Sequence, residues 1–307
     1  MEPADRFAGC MAGLAVGDAV GTAVEFKARG TFPPLTDMVG GGAFKLAPGQ
    51  WTDDTSMALC LGASLLERGG FDPNDQMTRY LRWVQQGYFS STGGFVDMGL
   101  TVAAALVQYE STGDPFSGPT EDETAGNGCI MRLAPVPLFY HPDREAVWHY
   151  AAESARTTHG AAECLDACRL MGDILHRALS GQTKDEMLFG EPLRQLASPR
   201  LQAIARGSYR SKTESEIVGS GYVVNSLEAA LWCFLDEDDF DSVVLRAANL
   251  GDDADTTAAV AGQLAGAFYG ASGIRPSWIE KLTMRDEILS QGARLGAAIP
   301  DKHGRLP

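Results

Sequence analysis

Two short acidic clusters, each directly before an apolar segment with helical spacing, are the residues best suited to chemistry. They read Thr-Asp-Asp-Thr at 52–55 and Gly-Asp-Asp-Ala-Asp-Thr at 251–256. Helix capping explains either cluster alone, because one Asp or Thr side chain caps a helix and adds about 1 kcal/mol. The second cluster has more aspartates than a cap needs. Carboxylates buried so close together repel one another unless a cation compensates them.

The donor atoms of these clusters indicate which cation fits. Carboxylate and hydroxyl oxygens are hard ligands that suit Mg²⁺ or Mn²⁺ better than Zn²⁺. No His-x-x-x-His pattern or Cys-x-x-Cys pair offers a competing site in the sequence. Cys164 and Cys168, one helical turn apart, are interpreted as small buried hydrophobic residues. The residues alone therefore predict a carboxylate-bridged site for two hard divalent cations, with plain helix capping as the alternative.

The elements that position these clusters are predicted to be helices, because apolar residues recur every three or four positions. The predicted helices are 5–17, 54–68, 73–87, 96–109, 144–155, 160–179, 223–235, 240–249 and 256–270. Alternation typical of a strand is restricted to a short piece near 43–46. The segment 256–270 is mainly Ala and Gly, which let helix backbones approach closely, so we expect it to be central and buried. The sequence predicts an all-α fold, a single compact orthogonal helical bundle spanning 1–307.

Composition excludes several classes of protein. The chain has 25 basic and 40 acidic residues, hence a net charge of −15, and no basic stripe that would bind nucleic acid. No apolar run reaches the ~18 residues of a membrane span, and the N-terminus lacks the basic start of a signal peptide. The six cysteines follow no disulfide framework, which favours reduced thiols and a cytoplasmic location. An anionic ligand must then be held by backbone N–H groups, helix N-termini or bound cations.

Seven motifs, spread over most of the chain, resemble those of the ADP-ribosylglycohydrolase family and occur in the family's order. They are GDAVGTAVE at 17–25, TDDT at 52–55, STGGFVDMG at 91–99, GNGCIMR at 126–132, TH at 158–159, GSGYV at 219–223 and LGDDADT at 250–256. The glycines at 40–42 and the Pro-Gly-Gln at 48–50 resemble the bacterial branch that activates dinitrogenase reductase. Members of that branch cleave ADP-ribosylated arginine.

The resemblance implies a helical bundle that holds two Mg²⁺ or Mn²⁺ ions. One ion takes Thr52, Asp53, Asp54 and Asp255. The other takes Asp53 or its neighbours, together with Asp253, Asp255 and Thr256. Asp255 then bridges the two ions. Many family members have Gly-Gly-Asp where this chain has Gly-Asp-Asp, so an exchange of Asp252 for Asp253 as the ligand remains an alternative.

The resemblance also implies roles for the residues that meet the substrate. Asp97 faces the distal ribose as general base or as a polar group on its hydroxyls, unless it is only a helix cap. Glu25 lies beside the metals or touches the substrate, unless it ends a helix in solvent. Ser91, Thr92, Gly93, Gly94, Gly126, Asn127 and Gly128 cradle the diphosphate through N–H and hydroxyl groups. His159 lines the distal pocket and Tyr222 stacks on the adenine.

The function implied is a metal-dependent hydrolase that removes ADP-ribose from modified side chains of proteins, with the N-glycosidic bond to arginine as the expected linkage. The alternatives are hydrolysis of O-linked ADP-ribose, on serine or in an O-acetyl ester, and a non-catalytic ADP-ribose-binding or immunity protein. A prenyl-diphosphate enzyme needs carboxylates at i, i+1 and i+4, and Met57 and Ala58 break that pattern after Asp53 and Asp54. An ADP-ribosylated protein is the expected partner, without nucleic acid or a membrane span, and the chain is expected to be monomeric.

Overall fold

The computed structural model describes residues 1–298, and they are built from α-helices. The helices are α1 (Pro3–Gly21), α2 (Asp53–Arg68), α3 (Pro73–Gln86), α4 (Leu100–Thr112), α5 (Pro135–Tyr140), α6 (Arg144–Arg156), α7 (Ala162–Leu179), α8 (Lys184–Phe189), α9 (Pro199–Ala205), α10 (Val223–Asp236), α11 (Phe240–Ala248), α12 (Ala254–Tyr269), α13 (Pro276–Lys281) and α14 (Arg285–Ala297). Within 1–298 the only β pairings are isolated bridges, Gly41 with Leu46 and Gly126 with Tyr222. The all-α prediction is confirmed. The predicted domain also includes 299–307, which lie outside the described residues.

Helices α1 and α12 form the centre of the fold and touch backbone to backbone. Glycines recur on α1 at every fourth position from Gly9 to Gly21, and they face α12. A Cβ built on Gly13 would lie 2.1 Å from the carbonyl oxygen of Gly262, and one on Gly262 would lie 2.1 Å from that of Gly13. Only glycine fits this seam. The predicted central helix is confirmed, since α12 is buried from Ala254 to Ala267.

Two helix boundaries differ from the sequence prediction by four residues, more than any other. Helix α1 continues to Gly21, beyond the predicted end at 17, because Gly17 and Gly21 pack against α12 instead of ending the helix. Helix α4 starts at Leu100, so 96–99 are not helical and Asp97 has a positive φ of 51°. The pattern also missed the short helices α5, α8, α9 and α13 and the last described helix, α14.

The first turns of α2 and α12 converge on the C-terminal half of α1. The residues flanking these starts, Thr52 and Asp253, make no side-chain capping bond to their own helices. Their side chains turn instead toward neighbouring polar groups, so plain capping does not account for either cluster. No helix within 1–298 is both long and apolar enough to cross a membrane.

The glycine seam predicts an unusual cost for a small substitution. In Gly262→Ala the added methyl group must push α1 away from α12, a strain of up to about 3 kcal/mol. Ala normally gains about 1 kcal/mol over Gly inside a helix, so the free energy of unfolding should fall by up to about 2 kcal/mol. Urea unfolding measures it. Gly94→Ala is the control, since its Cβ meets no atom within 4 Å; equal stability of the two variants would contradict the close packing.

Candidate functional site

Asp18 ties the start of α2 to α1. Its Oδ1 accepts hydrogen bonds from the backbone N (2.9 Å) and hydroxyl (2.8 Å) of Thr52. Its Oδ2 accepts from the backbone N (3.1 Å) and hydroxyl (2.7 Å) of Thr55. The carboxylate is fully buried and caps α2 from another helix. The sequence analysis included Asp18 in a motif but predicted no role for it. The feature that could have revealed it is an acidic residue between Gly17 and Ala19 in an apolar helix.

Three buried aspartates meet where α1, α2 and α12 converge. One carboxylate oxygen from each of Asp18, Asp54 and Asp255 lies within 4.8 Å of the other two. The Thr52 hydroxyl lies between them, 2.8 Å from Asp18, 3.3 Å from Asp54 and 3.3 Å from Asp255. A hydroxyl has one proton to donate, so it satisfies one of these oxygens at a time. It therefore cannot satisfy all three carboxylates at once.

The remaining oxygens of this cluster indicate that a cation fits there. Oδ1 of Asp54 and Oδ1 of Asp255 are buried without a hydrogen-bond partner. None of the ion pairs formed within 1–298 includes Asp18, Asp54 or Asp255. Burial, followed by the neighbouring carboxylates, raises the pKa of Asp54 and of Asp255 well above the usual range. Hard oxygens that have no hydrogen-bond donor and no counter-charge are suitable ligands for Mg²⁺ or Mn²⁺.

The other expected metal ligands lie around this cluster. The Thr256 hydroxyl is 3.4 Å from Oδ2 of Asp54. Asp53 is buried at the edge of a cleft, and burial, followed by the charge of Asp97, raises its pKa well above the usual range. Oδ2 of Asp253 accepts a 2.6 Å hydrogen bond from Nδ2 of Asn127.

The two adjacent aspartates of the second cluster have different surroundings. Asp252 is exposed, with a φ of 55°, and its backbone bonds to the backbones of Phe26 (2.7 Å) and Lys27 (2.8 Å). Asp253 is anchored by Asn127, and burial raises its pKa. Of the two residues, Asp253 is therefore better placed to be the metal ligand.

A cleft of about 610 Å³ opens onto the carboxylates. Its lining includes an acidic group with one threonine: Glu25, Asp53, Asp253, Asp255 and Thr256. The lining also includes Gly126, Asn127, Gly128, Met131 and His159. Phe26, Asp97, Leu100 and Asp252 line the cleft as well. The cleft therefore combines carboxylate acceptors with amide and imidazole groups, a composition suited to a sugar phosphate next to metal ions.

Glu25 and Asp97 both line the cleft, and neither has the non-functional role considered for it. Glu25 is only 3% exposed, and its Oε2 is buried without a partner, so it is not a solvated helix end. Burial, followed by the charge of Asp97, raises the pKa of Glu25 to about 9. Asp97 does not cap α4, because Gly99 occupies the capping position.

Some residues expected to bind substrate lie elsewhere. The Ser91 hydroxyl donates to the Trp51 carbonyl (2.6 Å) and accepts from the Trp51 N–H (3.1 Å), so it fixes the backbone before Thr52. Three neighbours are exposed and outside the cleft lining: Thr92, Gly93 and Gly94. Tyr222 also lies outside the lining, and its hydroxyl bonds to Glu163 and Arg200. A diphosphate role for 91–94 and adenine stacking by Tyr222 stay predictions.

Comparison with known proteins identifies the family of the chain. The sequence profile of the ADP-ribosylglycohydrolase family matches residues 1–304. The chain belongs to the ADP-ribosylglycohydrolase family. It is 44% identical to the ADP-ribosylarginine hydrolase Tri1 of Pseudomonas putida over 92% of this chain and 76% of that protein. It is 34% identical to the ADP-ribosyl-[dinitrogen reductase] glycohydrolase of Rhodospirillum rubrum over 92% of each.

A solved structure described as an ADP-ribosylglycohydrolase-related protein complex has the same fold. It superimposes with a TM-score of 0.86 at 43% sequence identity, over 97% of this chain and 99% of that one. The predicted family resemblance is therefore confirmed.

The unpaired carboxylates predict opposite effects of one mutation with and without metal. Without divalent cations, Asp255→Asn should stabilise the protein, because it removes a buried carboxyl group that must either carry a charge among like charges or take up a proton on folding. Added Mg²⁺ or Mn²⁺, at a hundredfold excess over Kd, should stabilise the wild type by about 2.7 kcal/mol. Thermal unfolding measures this stabilisation. The variant should lose this response.

Asp166→Asn is the matched control for that mutation. Asp166 is also buried, and its Oδ2 accepts from the backbone N of Ala197 (2.6 Å) and of Ser198 (2.8 Å), away from the acidic cluster. Its variant should lose stability equally with and without cations. A full metal response in Asp255→Asn would remove Asp255 from the proposed site.

The raised pKa values predict how cation-free stability depends on pH. Glu25 has a pKa of about 9 when folded and an ordinary value near 4.5. The folded state then retains a proton that the unfolded chain has released, so the free energy of unfolding falls as pH rises from about 5 to about 9. Urea unfolding in chelator measures this fall. Saturating Mg²⁺ should reduce it, because the ion binds ionised carboxylates; a pH slope unchanged by Mg²⁺ would contradict the interpretation.

Proposed function

We propose that this chain hydrolyses the bond between ADP-ribose and a modified arginine side chain of a protein. The observation that carries the proposal is a cleft lined by Glu25 and Asp255, each with a buried unpartnered carboxylate oxygen, together with the hydrogen-bonding groups of Asn127 and His159. The relatives from Pseudomonas putida and Rhodospirillum rubrum are named for ADP-ribosylarginine and ADP-ribosyl-[dinitrogen reductase] hydrolysis. Family membership and site chemistry thus support the same activity.

Two divalent cations, Mg²⁺ or Mn²⁺, are proposed as the cofactors. The residues that would hold them are Thr52, Asp53, Asp54, Asp253, Asp255 and Thr256. Cations bound there would orient the hydroxyls of the distal ribose and polarise water. Asp18 serves a different purpose, because its two oxygens already accept four hydrogen bonds. It positions Thr52 and the first turn of α2.

The residues that line the cleft carry out the remaining steps of the proposed reaction. Water attacks the anomeric carbon of the distal ribose while the bond from that carbon to the guanidine nitrogen breaks. The leaving nitrogen gains a proton, and the water oxygen loses one. Asp97 lines the cleft and is proposed to accept the proton from water or from a ribose hydroxyl. Asn127 holds Asp253 by its 2.6 Å bond and so keeps that carboxylate in place.

The acidic lining of the cleft favours an arginine linkage over a serine linkage. Glu25, Asp97 and Asp252 all line the cleft, in a chain of net charge −15. A guanidinium group is attracted to this lining, whereas a serine ether carries no charge to attract. Asp97 and the exposed Asp252 are the groups whose attraction salt would screen.

The linkage is tested by release of ADP-ribose from two modified proteins, one carrying it on arginine and one on serine. We expect faster release from arginine, with a preference that weakens between ~0.1 M and ~1 M salt, where screening shortens from about 10 Å to about 3 Å. A serine preference would assign the chain to O-linked substrates. Tight binding of ADP-ribose without release from either substrate would indicate a non-catalytic binding protein.

Asp97→Asn separates chemistry from binding, because it keeps the size of the side chain and removes its charge. If Asp97 accepts a proton, kcat should fall about 10²–10⁴-fold while ADP-ribose still binds. Steady-state kinetics together with calorimetric titration of ADP-ribose measures both quantities. Loss of ADP-ribose affinity with an unchanged kcat would restrict Asp97 to binding the sugar.

A further inference from the structure

Arg132 is a buried cation without an acidic partner. Its side chain is 1% exposed, and none of the ion pairs among residues 1–298 includes it. The guanidinium donates to the carbonyl of Gly128 (3.0 Å) and to the hydroxyl of Thr158 (2.6 Å). The ring of Tyr80 lies 4.9 Å from its Cζ. Burying a charge is costly unless pairing and hydrogen bonds compensate it, so the groups that this unpaired cation holds in place need an explanation.

The bond to Thr158 fixes the direction of the next hydrogen bond. A guanidinium can only donate, so the Thr158 hydroxyl accepts from Arg132. The hydroxyl keeps one proton to donate, and Nδ1 of His159, 2.8 Å away, is its one acceptor among the hydrogen bonds of residues 1–298. Nδ1 therefore accepts this proton with its lone pair. The single proton of a neutral imidazole is therefore on Nε2.

His159 places its Nε2 proton at the cleft. The residue lines the cleft beside Gly126 and Gly128, and its Nε2 would lie 3.3 Å and 3.1 Å from Cβ atoms built on these glycines. No hydrogen bond within the described residues uses Nε2. Burial lowers the pKa of His159 to about 4, so the ring is neutral at neutral pH. Glycine at 128 is required, since a Cβ there would lie 2.8 Å from Cε1 of the ring.

We propose that Arg132 is a positioning residue that acts through Thr158 to hold His159 as an Nε2–H donor facing the cleft. The acceptor is an oxygen of the ADP-ribosyl group. The identity of this ligand rests on the proposed function. The tautomer itself does not, because it follows from hydrogen bonds in the free protein. The same guanidinium also holds Gly128, so one buried cation fixes both the loop and the ring that line this part of the cleft.

The test is the tautomer of His159 in the free protein, read from long-range ¹H–¹⁵N correlation spectra and assigned by His159→Gln. The wild type should show protonation at Nε2 alone at neutral pH. Thr158→Val removes the hydroxyl and should give a mixture of tautomers, and Arg132→Met should do the same because Thr158 is then free to reverse its bond. Thr158→Ser keeps the hydroxyl and should restore the wild-type spectrum.

Binding of ADP-ribose tests the second half of the proposal. Thr158→Val should weaken affinity about tenfold, as expected for a well-formed hydrogen bond, and Thr158→Ser should not. A wild-type ring protonated at Nδ1 overturns the proposal. So does a Thr158→Val ring that remains protonated at Nε2 alone. Absence of ADP-ribose release from any substrate would refute the proposed function while the tautomer is still measurable, so the two failures are distinguishable.

Discussion

The carboxylate of Asp18 is the interaction on which the site depends. It accepts four hydrogen bonds from Thr52 and Thr55, and so it fixes the first turn of α2 against α1. The glycine seam brings α12 close enough to the same part of α1 for Asp255 to join Asp18 and Asp54. Close backbone packing and one buried acid therefore place two helix N-termini at one point. The partial positive charge of those N-termini moderates the repulsion between carboxylates but does not cancel it.

The cleft resolves the difficulty that an acidic protein faces with an anionic ligand. Its lining carries the carboxylates of Asp53, Asp253 and Asp255, where cations compensate the negative charge in the proposed enzyme. The same lining includes Gly128 and His159, which Arg132 holds through its bonds to Gly128 and Thr158. A ligand with both hydroxyls and phosphates matches this mixed lining. The cation of Arg132 stays buried, so it orients donors without pairing with these carboxylates.

The sequence predicted the parts of this molecule that depend on local pattern. The two acidic clusters, most of the long helices and the central Ala/Gly helix follow from spacing and residue type. The role of Asp18 was not predicted, because it depends on contacts with α2, which is distant in sequence. Helix α4 starts later than predicted because the backbone at Asp97 has a positive φ, and apolar spacing does not report that. Ser91 was expected at the diphosphate but bonds to Trp51, a contact that only the tertiary structure reveals.

The central claim is that the carboxylates of Asp54 and Asp255 are arranged to hold divalent cations. Diffraction from crystals grown with Mn²⁺, with data collected at the manganese absorption edge, tests it most directly. The account predicts anomalous peaks within bonding distance of Asp54 and Asp255, at least one of them also bound by Thr52, and Asp18 outside the coordination sphere with its four hydrogen bonds intact. Peaks confined to exposed acids, with Asp54 and Asp255 uncoordinated, would contradict it.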